Sequence, residues 1–168
     1  MPITTADIKF FLSGGASNTD GDASLGGAIS TTQASSTANE LFDIVTGNEA
    51  SAGSTEYRCI YIKNDNATLT LFSALVFIET NTPSTDTTVE IALGTSSING
   101  TEQTIANETT APSGTSFSTA ANEGAALTIG DIPAGEHKAI WIKRIVSASA
   151  SAYDADGVTI RVKGDTGE

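Results

Sequence analysis

The chain has 168 residues, with eight Lys plus Arg against twenty Asp plus Glu, a formal net charge of −12, and one each of His, Cys, Trp and Met. A lone cysteine excludes a disulfide framework and a Cys-ligated zinc or iron–sulfur site. The acidic balance argues against a general nucleic-acid binder, and no apolar run approaches the ~20 residues of a membrane span. Residues 1–7 lack the basic segment and apolar stretch of a secretion signal. The expectation is one soluble domain over residues 1–168, large enough to bury a core.

Short runs of β-branched and aromatic residues, separated by Gly, Ser, Thr, Asn and Asp, predict an all-β chain. In chain order the strands are expected over 7–13, 56–64, 69–80, 87–93, 137–147 and 157–163, with further candidates at 25–30, 40–46 and 125–129. Leu41, Phe42, Ile44 and Val45 fit a short helix over 36–45 as well as a strand. Eight or nine short strands suit a two-sheet antiparallel β-sandwich of jelly-roll or Greek-key type. Asn64-Asp65-Asn66 is short enough to close a hairpin, Pro83 ends the strand before it, and Asp131 to Gly135 and Asp154 to Gly157 turn the chain into the last two strands.

Residues 13–39 and 94–124 carry few large apolar side chains. Connections longer than about 12–15 residues are uncommon in compact domains, and these bury too little to offset their own entropy. They are expected to be arms that order against something else.

Side chains alternate across a strand, so parity separates its faces. Val158, Ile160 and Val162 oppose Thr159, Arg161 and Lys163, and Val89, Ile91 and Leu93 oppose Thr88, Glu90 and Ala92, giving one apolar face each. Four other strands are apolar on both: Tyr57, Cys59 and Tyr61 against Ile60 and Ile62; Ala139, Trp141 and Ile145 against Ile140, Ile142 and Val146; Ile8, Phe10 and Leu12 against Phe11; and Leu75 and Phe77 against Val76 and Ile78. A sheet built from them needs two covers. One is the opposite sheet, and the second is an arm of the chain or another subunit. The candidate subunit-contact residues are therefore Tyr57, Arg58, Ile60, Ile62, Lys63, Lys138, Ile140, Ile142 and Arg144. Tyr57 to Asn64 and His137 to Arg144 also agree in character at almost every position, which suggests equivalent places in a pseudo-symmetric fold. All eight basic residues fall within expected strands while the acids lie mostly in loops, a pattern suited to contacts between copies.

Little here points to chemistry. His137 begins a strand with no nucleophile motif near it, and Cys59 reads as a small buried apolar residue. A carboxylate-dependent hydrolase would need two acids facing each other across a groove. Asn18 to Asp22 and Asp154 to Gly157 resemble pieces of calcium loops without the closing bidentate Glu, and read as Asx turns. No catalytic residue, cofactor or metal is expected.

Three stretches resemble small structural proteins encoded by tailed bacteriophages: Phe11 to Ala16 with Ser24 to Ser30, Leu41-Phe42-Asp43 through Glu56 to Asn64, and Ile132 to Glu136 through Trp141 to Arg144. The resemblance covers about half the chain. It implies a non-enzymatic virion component, a decoration (cement) protein on the outer surface of the head, often a β-sandwich that braces the lattice of the major capsid protein. The partners expected are the major capsid protein and copies of the chain itself in a homo-oligomer, with no nucleic acid and no membrane. The rival expectation is a tail or fibre component that binds host-surface glycan.

Overall fold

In the computed structural model, which describes residues 2–167, the strands are β1 (Ile8–Ser13), β2 (Gly26–Gly27), β3 (Ile29–Gln33), β4 (Ser54–Asn64), β5 (Leu71–Thr80), β6 (Thr87–Leu93), β7 (Glu102–Thr104), β8 (Leu127–Ile132), β9 (His137–Val146) and β10 (Thr159–Thr166). They form three antiparallel sheets, none closed: β3-β1-β4-β9-β6, β10-β5-β8, and the two-stranded ribbon β2-β7. From β4 onward the chain alternates between the two larger sheets, interrupted only by β7.

That alternation overturns the expected hairpin at Asn64-Asp65-Asn66. β4 is already paired on both edges, by β1 and β9, so no edge remains for β5. The turn carries the chain across to the other sheet instead. The Asn64 amide donates to the carbonyls of Leu69 (2.8 Å) and Ile132 (2.9 Å), and Asn66 Oδ1 accepts from the Thr68 and Leu69 N–H groups.

The central strands β4 and β9 separate two apolar layers by parity. On one face Ile60, Ile62, Ile140 and Ile142 share a cluster with Leu71, Ala74, Val76 and Ile78 of β5 and Ile132 of β8. On the other, Tyr57, Cys59, Tyr61, Ala139 and Trp141 form a second cluster with Phe11, Ala92 and Ile105. Side-chain size alternates across the strands of this second face. Trp141 lies between Cys59 and Ala92, and Tyr61 between Ala139 and Phe11. Small residues on either side give the two largest rings their room, which is why Cys59 occurs where it does.

The likeness of the two central strands is expressed within this one sheet. They are direct partners whose register centres on Ile60 opposite Ile140, so a local twofold exchanges Tyr61 with Trp141 and Cys59 with Ala139.

The segment 40–46 is neither strand nor helix. Leu41 and Phe42 pack against the inter-sheet cluster, which explains their apolarity without a regular element. The helix α1 lies just beyond, at Gly47–Ala52, started by a reciprocal cap: Glu49 N–H donates to Thr46 Oγ1 (3.3 Å) and Thr46 N–H to the Glu49 carboxylate (2.6 Å).

The outer edge of β6 is sealed by side chains. The Asn81 amide imitates a neighbouring strand, donating to Val89 O (2.8 Å) and accepting from Val89 N–H (3.0 Å). Thr82 Oγ1 donates to Thr87 O (2.6 Å), and Ser118 exchanges both backbone bonds with Ile91. Replacing Asn81 by Ala leaves the buried Val89 groups unpaired, and should cost ~1–3 kcal/mol in denaturant unfolding.

Candidate functional site

The second face of the five-stranded sheet is covered by the chain's own arms. Leu25 and Ile29 from residues 13–39, and Ile105 and Phe117 from residues 94–124, pack on the Trp141 cluster. The Tyr61 hydroxyl pins both arms: it donates to Gly27 O in β2 (2.5 Å) and accepts from Glu102 N–H in β7 (3.0 Å). Gly26 makes that pairing possible, since its φ is +96° and a Cβ there would stand 1.9 Å from Gln103 O.

These arms are ordered largely by small polar side chains. Asn18 Nδ2 donates to Ser13 O (2.6 Å) and Asp20 O (2.9 Å), Ser30 Oγ to Asn18 O (2.6 Å), and the Gly26 N–H donates to Ser13 Oγ (3.1 Å). In the second arm the Gln103 amide binds both the carbonyl and the N–H of Ser113 (2.8 Å each). Where arms ordering against something else were expected, many of their turns find hydroxyl, amide or backbone partners within the chain.

The nine candidate contact residues are likewise occupied internally. Ile60, Ile62, Ile140 and Ile142 lie between the sheets, and Tyr57 stands against Phe117 with ring centroids 5.4 Å apart. Arg58 has no exposed side-chain surface and binds Glu108 (2.6 Å) and Asp22 (3.2 Å), one acid from each arm. Arg144 binds Glu56 (2.5 Å) and Asp43 (3.3 Å), and Phe42 lies under both guanidiniums. Lys63 binds Asp65 (2.8 Å), and Lys138 donates to the carbonyls of Gly94 (2.9 Å) and Ser96. The folded chain therefore does not present these strands to another copy. The basic residues in the sheets act as tethers for acidic loops.

The titratable groups fit the same picture. Burial pushes the Cys59 thiol far above its ordinary value. Burial also lowers His137, helped by nearby Lys63, and its ring meets Tyr61 edge-on at 4.9 Å. With Phe11, Ser30, Thr31, Lys63 and Asn99, His137 lines a shallow depression of about 560 Å³. Burial alone would raise Glu102, yet hydrogen bonds from the Ser96 N–H (2.9 Å) and the Thr95 hydroxyl (2.9 Å) hold its carboxyl at about 2. At residues 18–22, Asn18 and Asp20 each accept the N–H two residues on, as Asx turns, and Asp22 is committed to Arg58. Among the described residues no three His, Cys, Asp or Glu side chains gather as metal ligands.

One side of the molecule is unfinished. β8 approaches β6 and β9, so the width missing from the three-stranded sheet lies at its other edge, β10. There β1 runs on beneath a groove of about 470 Å³ lined by Ile3, Ile8, Phe10, Leu71, Ile160 and Val162. Among the described residues the outer backbone groups of β10 have no partner. This edge and groove were not among the residues singled out from sequence. The clean alternation of β10 marked it as one-faced without showing that its free edge stays bare.

Comparison of the chain with known protein families, curated proteins and solved structures returns no match.

Arg58→Met keeps the stem's volume and releases both arm acids. Subtilisin cleavage within 13–39 and 94–124 should then rise at least about tenfold while β4 and β9 stay intact. Tyr61→Phe orphans Gly27 O and Glu102 N–H and should cost ~1–3 kcal/mol in denaturant unfolding. Because the fold favours the ionised Glu102, its contribution is complete above about pH 4.5 and is lost as pH falls towards about 2. Glu102→Gln should flatten the acid limb of the stability curve. A residual slope should come from Asp65, which Lys63 and Lys9 also hold at about 2.

Proposed function

We propose that the protein is a virion structural component, a capsid decoration (cement) protein that binds the lattice of the major capsid protein on the outer surface of the head and stabilises it. In this reading the five- and three-stranded sheets are the two leaves of a jelly-roll-type sandwich, and the working form is a homo-oligomer. The observation that carries the reading is the contrast between edges. The chain seals β6 with three side-chain and backbone devices and leaves β10, with its apolar groove, open. An unprotected strand edge is a template for another chain, and a protein that copies itself many times on a lattice gains from weak contacts through avidity. Seven of the eight basic residues are held in ion pairs within the chain, so the outward surface is predominantly acidic, which suits the outside of a DNA-filled shell better than its lining.

A second reading, a tail or fibre component that binds host glycan, is favoured by one feature. The depression beside His137 combines an aromatic ring, Phe11, with hydroxyl and amide groups of Ser30, Thr31 and Asn99, the mixture a sugar would require.

Immunogold labelling of intact virions separates the two. Label over the head, with particles lacking the protein releasing DNA at a lower temperature, supports decoration. Label at the tail supports the second reading, and unlabelled particles with unchanged heat resistance overturn both.

A further inference from the structure

We propose that His137 is an acid-sensitive latch: protonation of its imidazole weakens the hold of the five-stranded sheet on the loop 94–102, the stem of the second arm. This goes beyond the proposed function and stands whether or not the protein belongs to a virion.

The register sets His137 at the end of a row of cations. Lys9 on β1 is opposite Lys63 on β4, and Lys63 is opposite His137 on β9. Parity puts all three on the face that the arms cover, two residues along each strand from Phe11, Tyr61 and Ala139. A single carboxylate, Asp65, answers both lysines, at 2.6 Å and 2.8 Å. Like charges directly opposite each other across strands repel, and an imidazolium would add a third to this row. Glu136, the preceding residue, favours the protonated ring, as does the bond from the ring N–H to the Gly100 carbonyl. Burial, with Lys63 on the same side, outweighs them.

The loop is fastened at this same place. The His137 ring meets Tyr61 edge-on at 4.9 Å on one side and bonds Gly100 on another. The first residues of β9 hold the rest of the loop: Gly94 N–H donates to Ala139 O (2.9 Å), Asn99 N–H to His137 O (2.8 Å), and Lys138 Nζ to the carbonyls of Gly94 and Ser96. Glu102 N–H then closes the stem on the Tyr61 hydroxyl (3.0 Å). Residues 94–101 carry no charge that could answer an imidazolium. The Glu102 carboxylate is committed to the Ser96 N–H and the Thr95 hydroxyl, and β3 brings only the hydroxyls of Ser30 and Thr31. The depression beside the ring leaves one flank open, so a proton reaches it in the folded protein. Lifting the loop gives the charged ring the water that its other flank lacks.

Burial and Lys63 hold the folded ring below its ordinary value of about 6.5. Neutral His137 therefore contributes stability that is complete above about pH 6.5 and is lost as pH falls below it. Asp65 and Glu102 are both held at about 2, so neither changes charge in that window.

The test is amide hydrogen exchange on the full chain, corrected for intrinsic rates, at about pH 7.5 and about pH 5. Protection of the Asn99 and Glu102 N–H groups should fall at least ~3-fold on acidification and stay below that of β5, the mark of a local opening. The chain has one His, so its imidazole proton resonance is unambiguous, and its titration midpoint should lie below about 6.5. Lys63→Gln, which leaves Lys9 to pair with Asp65, should raise that midpoint and restore part of the protection lost in acid. His137→Gln should remove the loss at these two amides. A midpoint at or above about 6.5 overturns the proposal. So does loop protection that is the same at both pH values, that equals the protection of β5, or that falls equally in wild type and His137→Gln. Exchange in β4 and β9 reports whether His137→Gln folds. If it does not, Lys63→Gln decides alone, and an unmoved midpoint overturns the latch.

Discussion

The structure depends on one constraint: β4 and β9, the paired strands at its centre, are apolar on both faces. An antiparallel sheet of this kind must be covered twice, and a chain of 168 residues has only one other large sheet to offer. The second cover is made from the two stretches least suited by composition to bury anything. They succeed because they contribute few apolar residues at the right places, Leu25, Ile29, Ile105 and Phe117, over a surface whose bulk is already supplied by Trp141, Tyr57 and Tyr61. The arms need to exclude water from these rings, and do not need a core of their own. The cost is visible at the Trp141 indole N–H, which is buried with no partner among the described residues. Leaving a donor unpaired costs ~1–3 kcal/mol, comparable with what burying one large side chain contributes.

The ordering of the arms shows where composition misleads. Ser, Thr, Asn and Gln lower the apolar content, which argues for disorder on average. Position for position they do something else here. Ser13, Ser24 and Ser30 are buried, and Asn18, Asn107 and Gln103 each answer backbone groups that no strand partner reaches. A tally of residue types cannot register this, because the same amide is a solvated side chain in a linker and a backbone surrogate in a tight loop. One local device lies beyond the 36–45 segment where a helix was expected. Thr46-Gly47-Asn48-Glu49 has the spacing of a reciprocal helix cap, and the helix begins there.

Charge sorting was legible, and its meaning depended on the third dimension. Every basic residue lies in a strand, as the sequence shows, but the acids that answer them come from the same chain. Arg58 joins Asp22 to Glu108 across a sequence separation of 86 residues, and Arg144 holds Asp43 beside Glu56. Exposed pairs contribute little to stability. The buried Arg58 is different in kind, because its guanidinium is fully withdrawn from water and relies on those two arm acids and the Tyr57 carbonyl. Arms and sheet are thereby coupled: the arms cannot lift without breaking both ion pairs of this buried arginine.

Parity foretold more of the sheet order than hydrophobicity did. The strands apolar on both faces, β1, β4, β5 and β9, all have a strand on either side, and the two that split most cleanly, β6 and β10, are both edges. The reason is physical. Strands in the middle of a sheet lie under both covers, whereas a strand at the rim outlasts one of them and must keep a wet face. What parity does not supply is the identity of neighbours, which is why the short turn after Asn64 suggested a hairpin when β4 had no edge to give. Nor does it say which rim is closed, since that depends on loops arriving from elsewhere: Asn81 and Ser118 bond the backbone of β6, and among the described residues no loop bonds the backbone of β10. Two edge strands with the same alternation thus have opposite fates. The difference between them is set by the length and direction of the connections.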